Sequence, residues 1–488
     1  MLKNDVKDQA PQKRYMPIYK VLLADTFTPI AALECLRKKY SEVILLESGV
    51  KFRDVGTCSF LGVDPYARFC TKNGKTTITV EHQEIQHETD PLALLRKFHQ
   101  DHQCILEENP EHEDLTNIGQ MMGFFAHDAV HYFEELPKTQ VETQDYPDML
   151  FNFYRINVIF NHEKNQLILA LIVEVGDDLA QVCEDAYQEL DALIKFLQTV
   201  KTVFRAVPTE KTSPFSFDID CSDEVFAQKV KQAQAYIQAG DAFQIVLSRT
   251  FSKPFAADPL SVYRTLRYSN PTPYMFYLAT PAFVAFGASP ERLVSLTDRE
   301  VVITPIAGTV PIGQDDPQVL LEKLKNDPKE RAEHMMLVDL ARNDIGAVCE
   351  IGSVQVAACM QPQRLTHVMH MVSDVKGRLA EAYDAFDLLR HTFPAGTLSG
   401  APKIRALEII AELESSKRYL YGGAICKIDV RGNLDSCIII RTAVVKDGTI
   451  AIRTGAGIVF DSNPLNEVNE TQHKAKGMLT AINSVECA

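Results

Sequence analysis

Three strand-like runs crowd together late in the chain, over residues 435–446, 449–454 and 457–460, and only Asp447-Gly448 separates the first two. A two-residue connection admits only an antiparallel hairpin, because parallel strands need a crossover of roughly a dozen residues. Val430-Arg431-Gly432-Asn433 supplies a similar turn after the run at 422–430. Further strand-like runs at 243–250, 273–280 and 283–287 are interspersed with helical patterns at 224–239, 317–342, 380–391, 401–414 and 464–483. These elements do not repeat as βαβ units, so the class is α+β with antiparallel sheet.

Upstream, Val43–Ser48, Thr76–Val80 and Phe153–Phe160 carry the β-branched and aromatic residues of strands, and 177–200 has the periodicity of an amphipathic helix. Two prolines and several Ser, Thr and Asp residues mark 204–221 as a linker. The expected organisation is a mobile polar tail at 1–16, an N-terminal region at 17–203, the linker at 204–221, and a C-terminal region at 222–488.

A chain of 488 residues can bury a large core. Its net charge of −15, with no run of Lys or Arg, argues against nucleic acid or an anionic membrane as a partner. An anionic substrate would have to be held by local arginines, backbone amides or a metal. The 11 cysteines are scattered without a C-x-x-C pair, the pattern of reduced thiols. The N-terminus lacks an apolar signal segment, and the longest largely apolar run, Leu167–Val175, interrupted only by Glu174, is about half a bilayer span. The expectation is a cytoplasmic protein.

Asp327-Pro328-Lys329-Glu330 reads as a helix start, with Asp327 as N-cap and Pro328 in the first turn. Glu330, Glu333 and Leu337 then share one face. Glu467, Glu470 and Lys474 repeat that spacing after Asp461-Ser462-Asn463-Pro464. Each glutamate pair alone reads as a solvated acidic turn. Two such helices converging would instead offer carboxylates to one hard divalent cation, with Mg²⁺ favoured over Zn²⁺.

Gly396-Thr397-Leu398-Ser399-Gly400-Ala401-Pro402-Lys403 is glycine-rich but lacks P-loop spacing. Gly455-Ala456-Gly457 lacks a dinucleotide fingerprint. Both read either as tight turns or as places where backbone N–H groups approach a carboxylate. Arg441 ends the apolar run Cys437–Ile440, either reaching solvent or clamping a carboxylate. Tyr421 before Gly422-Gly423 is a core tyrosine or a hydrogen-bond donor to substrate. Glu291, just past the apolar run 282–287, is a surface turn residue or a desolvated general acid. His370 alternates into the apolar run 365–372, which favours a core histidine over a catalytic one.

The order of these motifs resembles that of the chorismate-utilising enzymes. The resemblance is strong over about 222–480 and looser over about 20–170, and it includes Gly240–Ser248, Gly287–Glu291, Pro305–Thr309 and Val368–His370. It implies one α+β unit, an antiparallel β-sandwich core with helices packed outside. It implies Mg²⁺ held by Glu333 and Glu470, with Glu330 and Glu467 in support through water. Arg441, Tyr421 and Gly455 would bind the enolpyruvyl carboxylate of chorismate, Thr309, Thr397 and His370 would line the ring, and Ala307, Gly308, Gly457 and Lys474 would complete the substrate site. Glu291 would protonate the departing C4 hydroxyl.

Two positions select the branch. Within the resemblance, isochorismate and salicylate synthases carry lysine where Gln244 stands, and aminodeoxychorismate synthases often carry lysine where Ala307 stands. Their absence implies ammonia as the nucleophile and anthranilate as the product, the first step of tryptophan biosynthesis. No glutaminase motif of the G-x-C-x-G type is present, so a separate glutamine amidotransferase subunit would supply ammonia. Glu47 and Ser48, completed by Pro273, Tyr274, Met275 and Cys437, resemble the family's tryptophan feedback site. The alternatives are component I of an aminodeoxychorismate synthase, or a catalytically inactive subunit that binds tryptophan.

Overall fold

The computed structural model describes residues 14–50, 56–106, 113–137, 144–199, 217–311, 317–364 and 368–486. Its organising feature is one long strand pair, Cys58–Lys72 against Met149–Asn161, running antiparallel from Cys58↔Asn161 to Thr71↔Met149. Each strand changes its outer neighbour midway. Cys58–Lys72 first pairs with Val43–Glu47 and then with Lys75–Val80. Met149–Asn161 first pairs with Met121–Phe125 and then with Gln166–Glu174. Two sheets diverge from this pair.

One sheet continues from Val43–Glu47 through Tyr274–Ala279, Val284–Ser289, Thr442–Lys446 and Thr449–Ile458 to Gln244–Pro254. The other continues from Met121–Phe125 through Ala424–Ile428, Leu434–Ile438, Arg292–Thr297 and Glu300–Ile303 to Val368–Arg378. The last strand also pairs with Ile306–Pro311 and Gln355–Arg364. Every one of these pairings is antiparallel, including those between strands far apart in the chain.

The sheets face each other across an apolar layer that includes Ile44, Phe276, Leu278 and Ala285 from one and Met122, Phe124 and Ile425 from the other. Helices Pro29–Leu36, Leu179–Gln198, Pro259–Ser269 and Pro464–Glu486 cover the outside of the first sheet. Helices Pro91–His102, Pro328–Gly346 and Ala385–Thr392 cover the second, while Asp223–Ala239 and Lys403–Leu413 pack on the Gln244–Pro254 strand of the first. Burying an aliphatic or aromatic side chain contributes about 1.5–3 kcal/mol, so these three apolar layers outweigh local propensity in fixing the strands. The expected α+β sandwich is the fold found.

The chain changes sheets twice at neighbouring places. Ser289 ends a strand of the first sheet and Arg292 begins one of the second, with Pro290-Glu291 between them. Ile438 ends a strand of the second sheet and Thr442 begins one of the first, across Ile439–Arg441. Residues 435–446 are therefore not one strand. Arg441 takes φ +52°, a left-handed conformation rare outside glycine that breaks the run. Likewise 449–454 and 457–460 are not two strands: Thr449–Ile458 is continuous through Gly455 and Gly457.

Other expectations also change. The helix expected over 317–342 is two helices, Pro317–Asn326 and Pro328–Gly346. Pro328 has no N–H to continue the first, while the Asp327 carboxylate accepts from the Glu330 N–H at 3.2 Å to start the second. The tail ends earlier than 16, since Tyr15 opens the strand Tyr15–Leu23 and is buried; residues 1–13 lie outside the described part. The linker lies mostly outside it too, and its described end carries Asp218–Ile219, paired with Phe251 and Ser252. Strands from 17–203 and 222–488 share both sheets. Among the described residues no helix is long and apolar enough to cross a membrane, and the described cysteines are free thiols.

Candidate active site

The two sheet crossings lie side by side, and the first borders a cleft lined by Glu291, Thr397 and Ile438. Glu291 lies at the first, its backbone fixed because its carbonyl accepts from Ile438 N–H at 3.1 Å and its N–H donates to Ser289 Oγ at 3.4 Å. The Thr397 hydroxyl donates to Glu291 Oε1 at 2.9 Å. Burial pushes the Glu291 carboxyl up to about 7, against the lowering influence of the Thr397 hydroxyl and the Lys474 ammonium. A carboxyl balanced near neutrality can give a proton and take it back. This is not a surface turn residue.

Lys474 joins Glu291 to the second group of residues. Its Nζ donates to the Gly455 carbonyl at 3.0 Å and pairs with Glu470 at 2.6 Å. A Cβ on Gly455 would stand 2.6 Å from both the Tyr421 hydroxyl and the Leu247 carbonyl oxygen, so glycine is what lets the tyrosine reach this strand. Gly457 does the same for Gln244, whose Nε2 would lie 2.9 Å from an added Cβ. The two glycines therefore serve close approach within a strand and do not form a turn. Tyr421 is buried, and burial pushes its hydroxyl up to about 12. Arg441, at the second crossing, stands near Tyr421 and Glu470; it keeps exposed surface, yet the surrounding protein strips hydration and lowers its pKa.

Helix Pro328–Gly346 forms the facing wall. Its Leu337, Leu340, Ala341 and Asp344 line the cleft with Glu291 and Thr397. Glu333 lies one turn before Leu337 on that helix and is half-buried, as is Glu330. Ala307 pairs with Met371 and Thr309 with His370, the register skipping Gly308, and His370 is half-buried. The side chains of Gly308 and Thr309 lie outside the described residues. Among the described residues, no three His, Cys, Asp or Glu side chains are grouped closely enough to hold a metal alone. Glu467 is buried and Glu470 is paired with Lys474. Mg²⁺ keeps several waters and takes one or two carboxylates plus oxygens of a substrate, so a site for it need not gather three protein side chains.

Sequence reasoning missed the supports of this cleft. Glu414 is buried and accepts from Ser248 N–H and Oγ, from Arg418 and from Arg453, which hold its carboxyl down at about 2 despite desolvation. Arg418 also donates to the carbonyls of Leu398 and Val246 at 2.6 Å, tying the Thr397 loop to the Gln244 strand, and stands over the Tyr421 ring. The i,i+4 spacing of Glu414 and Arg418 was the available signal. Lys403, noted only as failing a P-loop pattern, pairs at 3.0 Å with Asp344, which lines the cleft.

A second cavity, of about 300 Å³, lies between the sheets. Glu47, Ser48, Pro273, Tyr274, Met275 and Cys437 all line it. The Glu47 carboxylate is held by the Tyr263 hydroxyl at 2.7 Å and Arg267 at 2.9 Å. The six residues expected to share a regulatory site thus share one cavity of ligand-binding size.

Comparison with known proteins gives the family. Residues 41–480 match the family described as chorismate binding enzyme. The chain is similar to anthranilate synthase component 1 of Aquifex aeolicus, 38% identical, covering 99% of this chain and 97% of that protein. The crystal structure of anthranilate synthase component I from Streptococcus pneumoniae superimposes with a TM-score of 0.74 at 34% identity, covering 94% of this chain and 99% of that one. The menaquinone-specific isochorismate synthase of Escherichia coli shares the fold at TM-score 0.70 and 22% identity, covering 97% and 96% of the two chains. This chain belongs to the chorismate binding enzyme family.

Proposed function

We propose that this chain is the synthase component of an anthranilate synthase, converting chorismate and ammonia to anthranilate and pyruvate. The observation that carries the reading is Glu291, enclosed in the cleft with its carboxyl near 7 and hydrogen-bonded by Thr397. Ammonia adds at C2 of the ring while the C4 hydroxyl leaves as water, taking its proton from Glu291. Loss of the C2 proton with the enolpyruvyl group, released as pyruvate, then makes the ring aromatic. Arg441, with Tyr421 and the backbone of Gly455, holds the enolpyruvyl carboxylate, because a guanidinium matches two carboxylate oxygens. The neutral Gln244 and Ala307 leave no side-chain base or nucleophile beside the ring, which favours external ammonia.

Glu333 and Glu470 would hold Mg²⁺, with Glu330 and Glu467 behind them. Such an ion supplies charge neutralisation for the ring carboxylate. A glutamine amidotransferase subunit would deliver ammonia, and tryptophan in the second cavity would inhibit. The site of action would be the cytoplasm.

Purified chain with chorismate, Mg²⁺ and an ammonium salt at mildly alkaline pH should give blue-fluorescent anthranilate. Formation of 4-amino-4-deoxychorismate would instead make it an aminodeoxychorismate synthase component. Chorismate binding with no product would make it a binding subunit.

A further inference from the structure

The catalytic cleft and the second cavity adjoin at one strand pairing, Arg292 with Cys437. The Ile438 N–H donates to the Glu291 carbonyl. Glu291, Arg292 and Ile438 line the cleft, whereas Cys437 lines the cavity. The Arg292 side chain points from one to the other. Its Nε donates to the Tyr274 hydroxyl at 2.6 Å and stands 3.7 Å from Asp435, to which the same hydroxyl donates at 3.0 Å. Tyr274 and Asp435 both line the cavity.

This connection is tight on one side and loose on the other. The Arg292 side chain is 5% exposed, so its guanidinium cannot turn to water when a partner is lost and must shift with the partners that remain. The ladder slips register between Arg292 and Ser295, an irregularity of the kind that lets a strand re-aim a side chain. An amino acid entering the cavity carries an ammonium group, and Asp435 is the carboxylate that Arg292 and Lys427 both approach there, Lys427 at 3.9 Å.

We propose that Arg292 is the positioning residue through which occupancy of the second cavity reaches Glu291. The ligand's ammonium competes with Arg292 for Asp435, Arg292 moves, and the peptide it shares with Glu291 carries the carboxyl out of line with Thr397. The inference rests on the reading of this cavity as a tryptophan site and adds the residue that transmits its state.

The test separates binding from transmission. Arg292→Lys keeps the charge and loses the planar fork. Tryptophan binding by calorimetry should stay within about threefold of the unmodified chain, while at least about half of the ammonia-dependent rate survives saturating tryptophan. Because coupling is reciprocal, chorismate should also cease to alter tryptophan affinity in the variant. Undiminished inhibition overturns the proposal, as does loss of binding in step with loss of inhibition, which would make Arg292 part of the binding site. If circular dichroism shows Arg292→Lys misfolded, Arg292→Gln decides by the same criteria, since Arg292 does not itself line the cavity. Absence of tryptophan binding to the unmodified chain would defeat the assignment of the cavity itself, an outcome distinct from failure of the relay.

Discussion

Replacing Thr397 by Val removes one hydroxyl and changes the volume little. That hydroxyl donates to Glu291 at 2.9 Å and favours the ionised carboxylate, opposing the burial that holds the group at about 7. A hydrogen bond to a charged group is worth about 1.5–3 kcal/mol. One pKa unit is about 1.4 kcal/mol, so losing the bond should raise Glu291 by about one to two units. The sign follows from the role. A general acid works protonated, so activity falls as pH rises through its pKa, and a higher pKa moves that fall to higher pH. Measured as kcat/KM for chorismate by anthranilate fluorescence, with rates divided by the concentration of free ammonia, the alkaline limb of Thr397→Val should move up by about one to two units. The plateau should also drop about tenfold, because the carboxyl loses its orienting partner, which is about 1.4 kcal/mol of barrier. Thr397→Ser should restore the limb. An unmoved limb, or one shifted downward, refutes the assignment of Glu291 as the acid positioned by Thr397.

Three further outcomes are expected. Glu333→Gln and Glu470→Gln should each abolish turnover at ordinary Mg²⁺ while leaving circular dichroism unchanged, since an amide is a poor ligand for Mg²⁺; activity in both would remove the metal assignment. Ala307→Lys should lower ammonia-dependent anthranilate formation by at least about tenfold, because the amine fills the space beside the ring, and an unchanged rate would show that Ala307 does not face it. Glu414→Gln leaves Arg418 and Arg453 buried without their counter-charge and should cost about 3–5 kcal/mol of stability in denaturant unfolding. The Glu414 carboxyl is depressed to about 2 from an ordinary 4.5, so its stabilisation is present above 4.5 and lost as pH falls toward 2. The unmodified chain should show that acid loss and Glu414→Gln should not, and equal acid sensitivity would count against the network.

Much of the site was legible because its chemistry is local. Asp327-Pro328 announced a helix, and the capping bond to Glu330 is there. Three helices went unread although the same signal preceded them: Thr28, Asp90 and Asp258 cap helices beginning at Pro29, Pro91 and Pro259. Glu291 was open between turn residue and acid, because desolvation depends on what covers a residue. Arg441 was read within a strand because its neighbours are apolar, and apolar neighbours do not reveal which sheet they belong to.

The sequence by itself determined the antiparallel class, the turns, the capped helix starts and the types of side chain available for chemistry. These follow from interactions spanning a few residues, where spacing and stereochemistry suffice. Only the tertiary structure decided that residues 289–292 and 438–442 pass between sheets, that Gly455 and Gly457 are strand residues giving room to Tyr421 and Gln244, and that Arg292 stands between two cavities. Those facts depend on pairings such as Arg292 with Cys437 and Gln244 with Ala401, far apart in the chain. Their partners are chosen by burial of three apolar layers together, which no local pattern encodes.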